Sequence, residues 1–558
     1  MKKRQEGFEE EGLIVDVWNR RTYAGRVCVR GGRIVSIEAD ESVRKDRYLL
    51  PGWVDAHVHI ESSLMTPRMF GREAVRHGVV AVVTDPHEIA NVCGVAGIEY
   101  MRREGARSAV KCCLTVPSCV PSCAYDESGA RVTAEDVEGL LRTGRFYGLS
   151  EVMDAVGVVS GEEELKKKIA SARRCGLVVD GHSPGLTGAA LRKYASAGIV
   201  TDHECRTLEE AEERIGLGMK IQIREGSAAR NFAALKPLIG RYPDRVMLCA
   251  DDISADKLVG GGYIDRLVAR AVADGYDLYD TVRAASVNAV EHYRLPVGLL
   301  REGDRADFQV VSDLKDFRVE AVYVDGERRD EGWTEPEGEE TVLPENFVHD
   351  RIDERELRRG IAHAETIMEV SDGDVVTHAY RYDPAEKSEN LESDPEADIV
   401  KIVYANRYRN GAPRVSWVKG TGIREGAFAT SVSHDAHNLI AFGSHDRDIA
   451  AALNAVIEKK GGRAFAVHGE VEVLPLPVGG LMSRLGAEEL HEECRRMRER
   501  FSRYPLALSM PFMTLSFLAL LVVPEVKIGG GGLFSYAKWG WTGEEESASG
   551  ERTEGRKK

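Results

Sequence analysis

The chain has 558 residues, of which 43% are hydrophobic and 30% charged. This supplies a large core, excludes wholesale disorder and corresponds to about three or four domains at ~150 residues each. Asp and Glu (91) outnumber Lys and Arg (75), and a net charge of −16 argues against a nucleic-acid partner, whose binders carry a basic surplus. The ten cysteines (28, 93, 112, 113, 119, 123, 175, 205, 249 and 494) form no CxxC pair and read as reduced thiols of a cytoplasmic protein. The opening MKKRQEGFEEEG is charged and lacks an apolar signal core, so no targeting segment is expected. The apolar stretch Met510 to Val523 is shorter than the ~20 residues of a membrane span and is bracketed by Pro511 and Pro524. It is predicted to be a buried core helix, with no membrane partner.

In chain order, residues 1–50 read as short strands, with Gly31-Gly32 in VCVRGGRIVSI as a two-residue hairpin turn. The β-rich ADFQVVSD and VEAVYVDGE lie within residues 289–330, and the two regions are expected to form one small discontinuous β-sandwich domain. Between them, over 51–288, apolar runs alternate with helical patterns. The runs are GWVDAHVHIE, VVAVVTDPHE, AVKCCLTVPS, FYGLSEVM, LVVDGHS, GIVTDHE, KIQIREGS and VMLCADD. Their near-continuous apolar character suits strands buried on both faces. GEEELKKKIASARRCG, with Ser160 and Glu163, and TLEEAEERIG, with Thr207 and Glu210, read as capping boxes. Eight strands alternating with helices over about 240 residues predict an α/β fold, a (β/α)8 barrel. Residues 331–345 are acidic and Gly/Pro-containing, a predicted linker. Residues 346–542 read as an α+β domain, with a helix DIAAALNAVIEKK capped by Ser444 or Asp446 and a charged amphipathic helix from Glu488. The tail 543–558 reads as disordered.

Polar residues recur at the C-terminal end of each run: His57 and His59, Asp85 with His87 and Glu88, Glu151, His182, His203 with Glu204, Glu225, and Asp251 with Asp252. Such ends converge on the mouth where barrels of this kind keep their active sites. A lone histidine is more often a core or surface residue, but a set in phase with the strands points to a site. His57, His59, His182, His203, Glu151 and Asp251 make a mixed N/O ligand set suited to Zn, Fe or Mn. They exceed the three protein ligands of one catalytic zinc, and a carboxylate such as Glu151 could bridge two metals that activate one hydroxide. Asp251 is preferred to Asp252 as the first acid after the eighth run.

PGWVDAHVHIESS resembles the amidohydrolase superfamily. More narrowly, TDPHEIANVCG, GLSEVMDAVGV, VDGHSPGLTG, TDHE, REGSAARN and SHDAHNLIAFG resemble the adenine deaminases of bacteria and archaea, over about residues 13 to 541. The resemblance implies a metal-dependent hydrolase that converts the free base adenine, rather than adenosine, to hypoxanthine and ammonia in purine salvage. It implies a binuclear centre of Mn or Fe, with Zn also compatible. His57 and His59 would hold one metal, and His182 and His203 the other. Glu151 would bridge where many relatives carry a carboxylated lysine, and Asp251 would complete the ligands and shuttle protons. Glu88, Glu204 or Glu225 could protonate the purine ring, or instead orient a ligand histidine or pair with Arg224 or Arg230. Asp85 and His87 read first as a turn shaped by Pro86; a further metal or, together with Asp252, a substrate contact is the alternative. His434, Asp435 and His437 could close over the purine, or Asp435 and Asn438 could make a local Asx turn. Cys112 and Cys113 are read as core. Rival readings are another cyclic amidine or amide hydrolase, and a non-catalytic barrel acting as an interaction protein, which would have no need of the ligand set. The expected partner is a small purine base, in a homo-oligomer.

Overall fold

The computed structural model describes residues 7–227, 229–336, 338, 341–363, 366–383 and 391–542; the predicted tail lies outside them. The chain divides into two compact units. The described residues of Met1–Pro121, Gly129–Asn346 and Leu476–Glu499 make the first, and those of Ser122–Ser128, Phe347–Pro475 and Arg500–Lys558 the second.

The first unit opens with β1 (Phe8–Asp16), β2 (Arg21–Arg30), β3 (Arg33–Ala39) and β4 (Tyr48–Pro51). Gly31 and Gly32 turn β2 into β3 with φ of 58° and 77°, conformations that cost a residue with a side chain more. The eight apolar runs all form strands: β5 (Trp53–Val58), β6 (Val79–Thr84), β7 (Lys111–Leu114), β8 (Gly148–Val152), β9 (Val178–Gly181), β10 (Thr201–Asp202), β11 (Lys220–Arg224) and β12 (Val246–Cys249). Named neighbours pair in parallel within β5–β7, β8–β9 and β10–β12. Val116 N–H donates to the Gly148 carbonyl and Val200 N–H to that of Val179, both at 2.9 Å, which links the three groups. Beyond β12, Asp251 N–H donates to the His57 carbonyl at 2.9 Å, so the eighth strand returns to the first.

The chain then adds β13 (Phe308–Val311), β14 (Val319–Val324) and β15 (Glu327–Arg328). These join the N-terminal strands in one sheet of order β15-β14-β13-β4-β1-β2-β3. The sequence suggested a sandwich of two sheets; the structure has one continuous sheet curled on itself. Strands three places apart lie about 14 Å apart when flat, yet Phe8 on β1 and Tyr323 on β14 stack with ring centroids 4.7 Å apart. The curl encloses Ile14, Val27, Ile34, Leu49, Phe308 and Val310. The expected start of this region at residue 289 is also revised. Asn288–Tyr293 is helical, and the Tyr293 hydroxyl bonds the Asp180 carboxylate under the parallel strands.

Other local expectations shift for identifiable reasons. Thr207 and Glu210 do form a capping box, but Ser160 ends one helix and Glu162 caps the next, accepting from Leu165 N–H at 2.6 Å. Gly161, at φ 84°, separates the two. The predicted linker is fastened where described: Glu335 pairs with Arg68 (2.8 Å) and Arg72 (3.0 Å). The charged helix Ala487–Phe501 falls mostly in the first unit, where Asp256 pairs with His491 and Arg498.

In the second unit β16 (Thr366–Glu369), β17 (His378–Arg381), β18 (Ile399–Ala405), β19 (Arg414–Lys419), β20 (Ala427–Thr430), β21 (Leu439–Gly443), β22 (Gly462–Val467) and β23 (Glu470–Pro475) form one sheet. The helix Asp446–Glu458 lays Ile449, Leu453 and Val456, one helical stripe, on the alanine-rich face of Ala427, Ala429, Ala441 and Ala464. His445 precedes this helix and no side chain caps it: the Ser444 hydroxyl donates to the Gly426 carbonyl and the Asp446 carboxylate pairs with buried Lys401. The apolar stretch near residue 510 is buried, but it forms only the short helix Pro511–Ser516 and a 3-10 turn, Phe517–Ala519. No described helix is long and apolar enough to cross a membrane.

Arg214 and Asp202 carry a buried ion pair that anchors the end of β10. Arg214 Nε donates to Asp202 Oδ2 at 2.7 Å and Nη2 to the Ser183 carbonyl at 2.7 Å. Burial raises the Asp202 pKa, but Arg214 and His203 outweigh it and hold the acid at about 2, against 3.8 ordinarily. Arg214→Met leaves this carboxylate uncompensated and should lower the unfolding free energy by about 3–5 kcal/mol, read from urea unfolding at pH 7. The wild-type contribution should be complete above pH 3.8 and fade as pH falls toward 2. That acid limb should shrink in the variant.

Candidate active site

Each strand end delivers its side chain through a short local device. His57 is the penultimate residue of β5, whereas His59 lies one residue past the strand and opens the 3-10 turn Ile60–Ser63. Both are buried, with ring centroids 4.8 Å apart and planes nearly perpendicular. His59 Nδ1–H donates to the Asp85 carbonyl at 3.2 Å, which turns Nε2 toward the cluster. An aspartate two residues upstream fixes several of these ends. Asp55 accepts from His57 N–H at 3.0 Å, Asp85 from His87 N–H at 3.1 Å, and Asp202 from Glu204 N–H at 2.8 Å. Asp180, two before His182, instead takes the Thr201 and Tyr293 hydroxyls.

Glu151 on β8 lies between two pairs of imidazoles. Its Oε2 is 2.8 Å from His182 Nδ1 and 3.1 Å from His203 Nε2. Its Oε1 is 3.3 Å from His59 Nε2 and 3.8 Å from His57 Nε2. Burial disfavours its charge, but His182 and His203 hold it ionised, well below the ordinary carboxylate range. The His57 ring stacks on His203 at 4.4 Å, which closes the group. Asp251, at φ 62°, places Oδ1 3.2 Å from His59 Nε2 and 3.7 Å from His57 Nε2, while Oδ2 takes a hydrogen bond from Arg224 at 2.5 Å. Burial raises its pKa, but Arg224 and then His59 bring it well below the ordinary range. Burial opposes charge on His182 too, yet Glu204 and Glu151 push it up to about 9.

The six expected ligands therefore meet at one buried point. The donor chemistry fits divalent cations that prefer mixed N/O ligands. His57 Nε2, which faces Glu151 and Asp251, is buried without a hydrogen-bond partner among the described residues, the condition of an imidazole that expects another ligand.

The remaining sequence candidates separate. Glu204 reaches the cluster but is engaged by Arg224 at 2.6 Å. Glu225 does not join it: its carboxylate pairs with Arg270 on the outer helix Ile264–Ala273 at 2.6 Å. Glu88 is buried in the first turn of the helix His87–Gly105, 3.5 Å from His87 Nε2. Asp85 and Pro86 link β6 to the helix that His87 opens, and His87 faces the cluster. Its Nδ1 sits 2.8 Å from Asp85 and 3.5 Å from Glu151. Asp252 accepts from the Ser62 hydroxyl at 2.5 Å. His434, Asp435 and His437 lie in the second unit, where His434 stacks on Phe517 at 4.4 Å and His437 Nδ1 accepts from Ser433 N–H at 3.2 Å. Asn438 makes no Asx turn; its Oδ1 accepts from Arg407 N–H.

Sequence reasoning missed Asp55, Asp180, Asp202, Asn231 and Glu61. The repeated Asp-x-His spacing at 55/57, 85/87 and 180/182 was the available signal. Glu61 had none; burial, and further on Glu88, push it up to about 7.

Comparison with known proteins gives the family. Residues 48–329 match the amidohydrolase family, whose members are metal-dependent hydrolases, and residues 374–539 match the adenine deaminase C-terminal domain. The adenine deaminase of Methanosarcina mazei is 44% identical over 543 residues, covering 95% of this chain and 98% of that protein. The Sulfurovum sp. adenine deaminase is 45% identical over 533 residues (94% and 98%), and that of Borreliella burgdorferi 38% over 538 residues (94% and 98%). With its buried cluster of imidazoles and carboxylates and this likeness along nearly its whole length, the chain belongs to the adenine deaminase family of amidohydrolases.

Proposed function

We propose that this protein hydrolyses adenine to hypoxanthine and ammonia at the mouth of a (β/α)8 barrel formed by β5–β12. The observation that carries the reading is Glu151, whose two oxygens divide between His57/His59 and His182/His203, in a chain of this family. The arrangement supports two divalent cations, Mn or Fe, with Zn compatible. His57, His59 and Asp251 would hold one, His182 and His203 the other, and Glu151 both. Bound there, the cations supply the Lewis acidity that makes water a nucleophile near neutral pH.

The chain's own groups handle the protons. Asp251 Oδ2 is pinned by Arg224, leaving Oδ1 to take the proton of the attacking water and pass it on. Attack on the ring carbon that bears the amine places electron density on a ring nitrogen, which needs an acid. Glu88, buried beside the cluster with its carboxylate 3.5 Å from His87 Nε2, is the glutamate assigned to that nitrogen. The amine leaves as ammonia once protonated, and the ring retains the oxygen of water. Burial of the site limits competing water. The ten cysteines, none of them in a disulfide among the described residues, support a reducing, cytoplasmic setting.

Glu151→Gln keeps the shape of the bridge and removes its charge. It should lose at least one of two bound metals, and adenine turnover should fall by orders of magnitude, with Glu151→Ala at least as damaging. Metal per protein and turnover, with circular dichroism as the folding control, check this; two retained metals and ordinary turnover in Glu151→Gln would reassign the carboxylate to packing.

Across a panel of purines and pyrimidines followed by ultraviolet absorbance and ammonia release, adenine should be the best substrate. Comparable efficiency on adenosine, in a preparation free of nucleosidase, would overturn the free-base assignment.

A further inference from the structure

Arg224 ends β11 with a buried side chain whose Nη1 donates to two carboxylates, Glu204 Oε1 at 2.6 Å and Asp251 Oδ2 at 2.5 Å. These acids follow β10 and β12, the strands on either side of β11. Each also faces imidazoles. Glu204 Oε1 lies 3.4 Å from His182 Nδ1 and 3.5 Å from His203 Nε2, and Asp251 Oδ1 lies 3.2 Å from His59 Nε2. One guanidinium therefore spans both halves of the cluster. Its backbone is held as well: Arg224 N–H donates to Asn231 Oδ1 at 2.8 Å, and Asn231 Nδ2 donates to the His203 and Cys205 carbonyls, both at 3.0 Å.

A carboxylate this close to two ligand imidazoles is itself a competent ligand for a divalent cation. We infer that Arg224 is a positioning residue that keeps Glu204 out of the metal coordination shell and presents only one oxygen of Asp251 to it. The turnover consequence rests on the two-cation deaminase reading above; the cation-binding consequence does not. Arginine suits the task because its planar fork stays charged when buried and holds two acceptors in a fixed geometry. The sign of the effect separates this role from simple support. Loss of a mere support loosens Asp251 and weakens cation binding. Loss of a restraining guanidinium frees Glu204 and removes a positive charge beside the cations, which tightens it.

Isothermal titration of metal-free protein with Mn2+ is the test. Arg224→Met should bind Mn2+ at least about tenfold more tightly than wild type, with Arg224→Lys in between. The double variant Arg224→Met/Glu204→Gln should return to within about threefold of wild type, and Glu204→Gln alone should leave affinity within that range. Adenine turnover by Arg224→Met should fall about a hundredfold while KM changes less than about threefold. Unchanged or weaker Mn2+ binding by folded Arg224→Met overturns the inference. If that variant does not fold, Arg224→Lys and Glu204→Gln decide it: no tightening in the first, or loss of Mn2+ binding in the second, overturns it. A wild type that binds Mn2+ but leaves adenine intact would count against the deaminase reading and leave the binding comparison standing.

Discussion

The return of the eighth parallel strand to the first is the constraint on which the site depends. Asp251 N–H donates to the His57 carbonyl at 2.9 Å, and His59 N–H approaches the Asp251 carbonyl at 3.4 Å. Residues almost 200 positions apart thereby share one backbone ladder. Once that pairing exists, Asp251 Oδ1 has little choice but to face the two imidazoles of β5. Strands in between bring Glu151, His182 and His203 to the same level, since parallel strands end on the same side.

Bringing so many ionisable groups together is costly unless their charges compensate. Glu151 and Asp251 stay ionised in a buried setting because imidazoles, and for Asp251 also Arg224, surround them. The layer below behaves differently. Burial pushes Asp55 and Asp180 up to about 7, with hydroxyls of Tyr263 and of Thr201 and Tyr293 partly offsetting the shift. Asp202 has Arg214 and remains a strong acid. Asp55 and Asp202 thus set backbone geometry beside the site, while the cluster groups are left for chemistry. Metal sites commonly depend on such supporting partners for ligand orientation.

The second unit follows another logic. Its sheet carries alanines on the face that receives the helix Asp446–Glu458, and phenylalanines on the other, where Phe428 meets Phe465, Phe501 and Phe512. Small residues let a helix approach closely, and aromatic ones fill the wider space. This part of the chain carries the family-specific C-terminal match, whereas the parallel strands carry the broader amidohydrolase match.

Local pattern determined much of this protein. Continuous apolar runs marked all eight strands, because a strand buried on both faces tolerates few polar residues until its end. For the same reason His57, His59, Glu151, His182, His203 and Asp251 stood out in phase. Gly31-Gly32 and the Thr207 capping box were legible because turns and caps depend on nearest neighbours. Tertiary structure alone decided the rest. Glu204 and Glu225 look alike in sequence, yet one turns inward to Arg224 and the other outward to Arg270. The curl of the seven-stranded sheet, and the assignment of the helix Ala487–Phe501 to the first unit, rest on contacts between distant segments. A side chain's direction past the end of a strand is set by the partners that pairing of remote strands brings within reach, and no local periodicity encodes them.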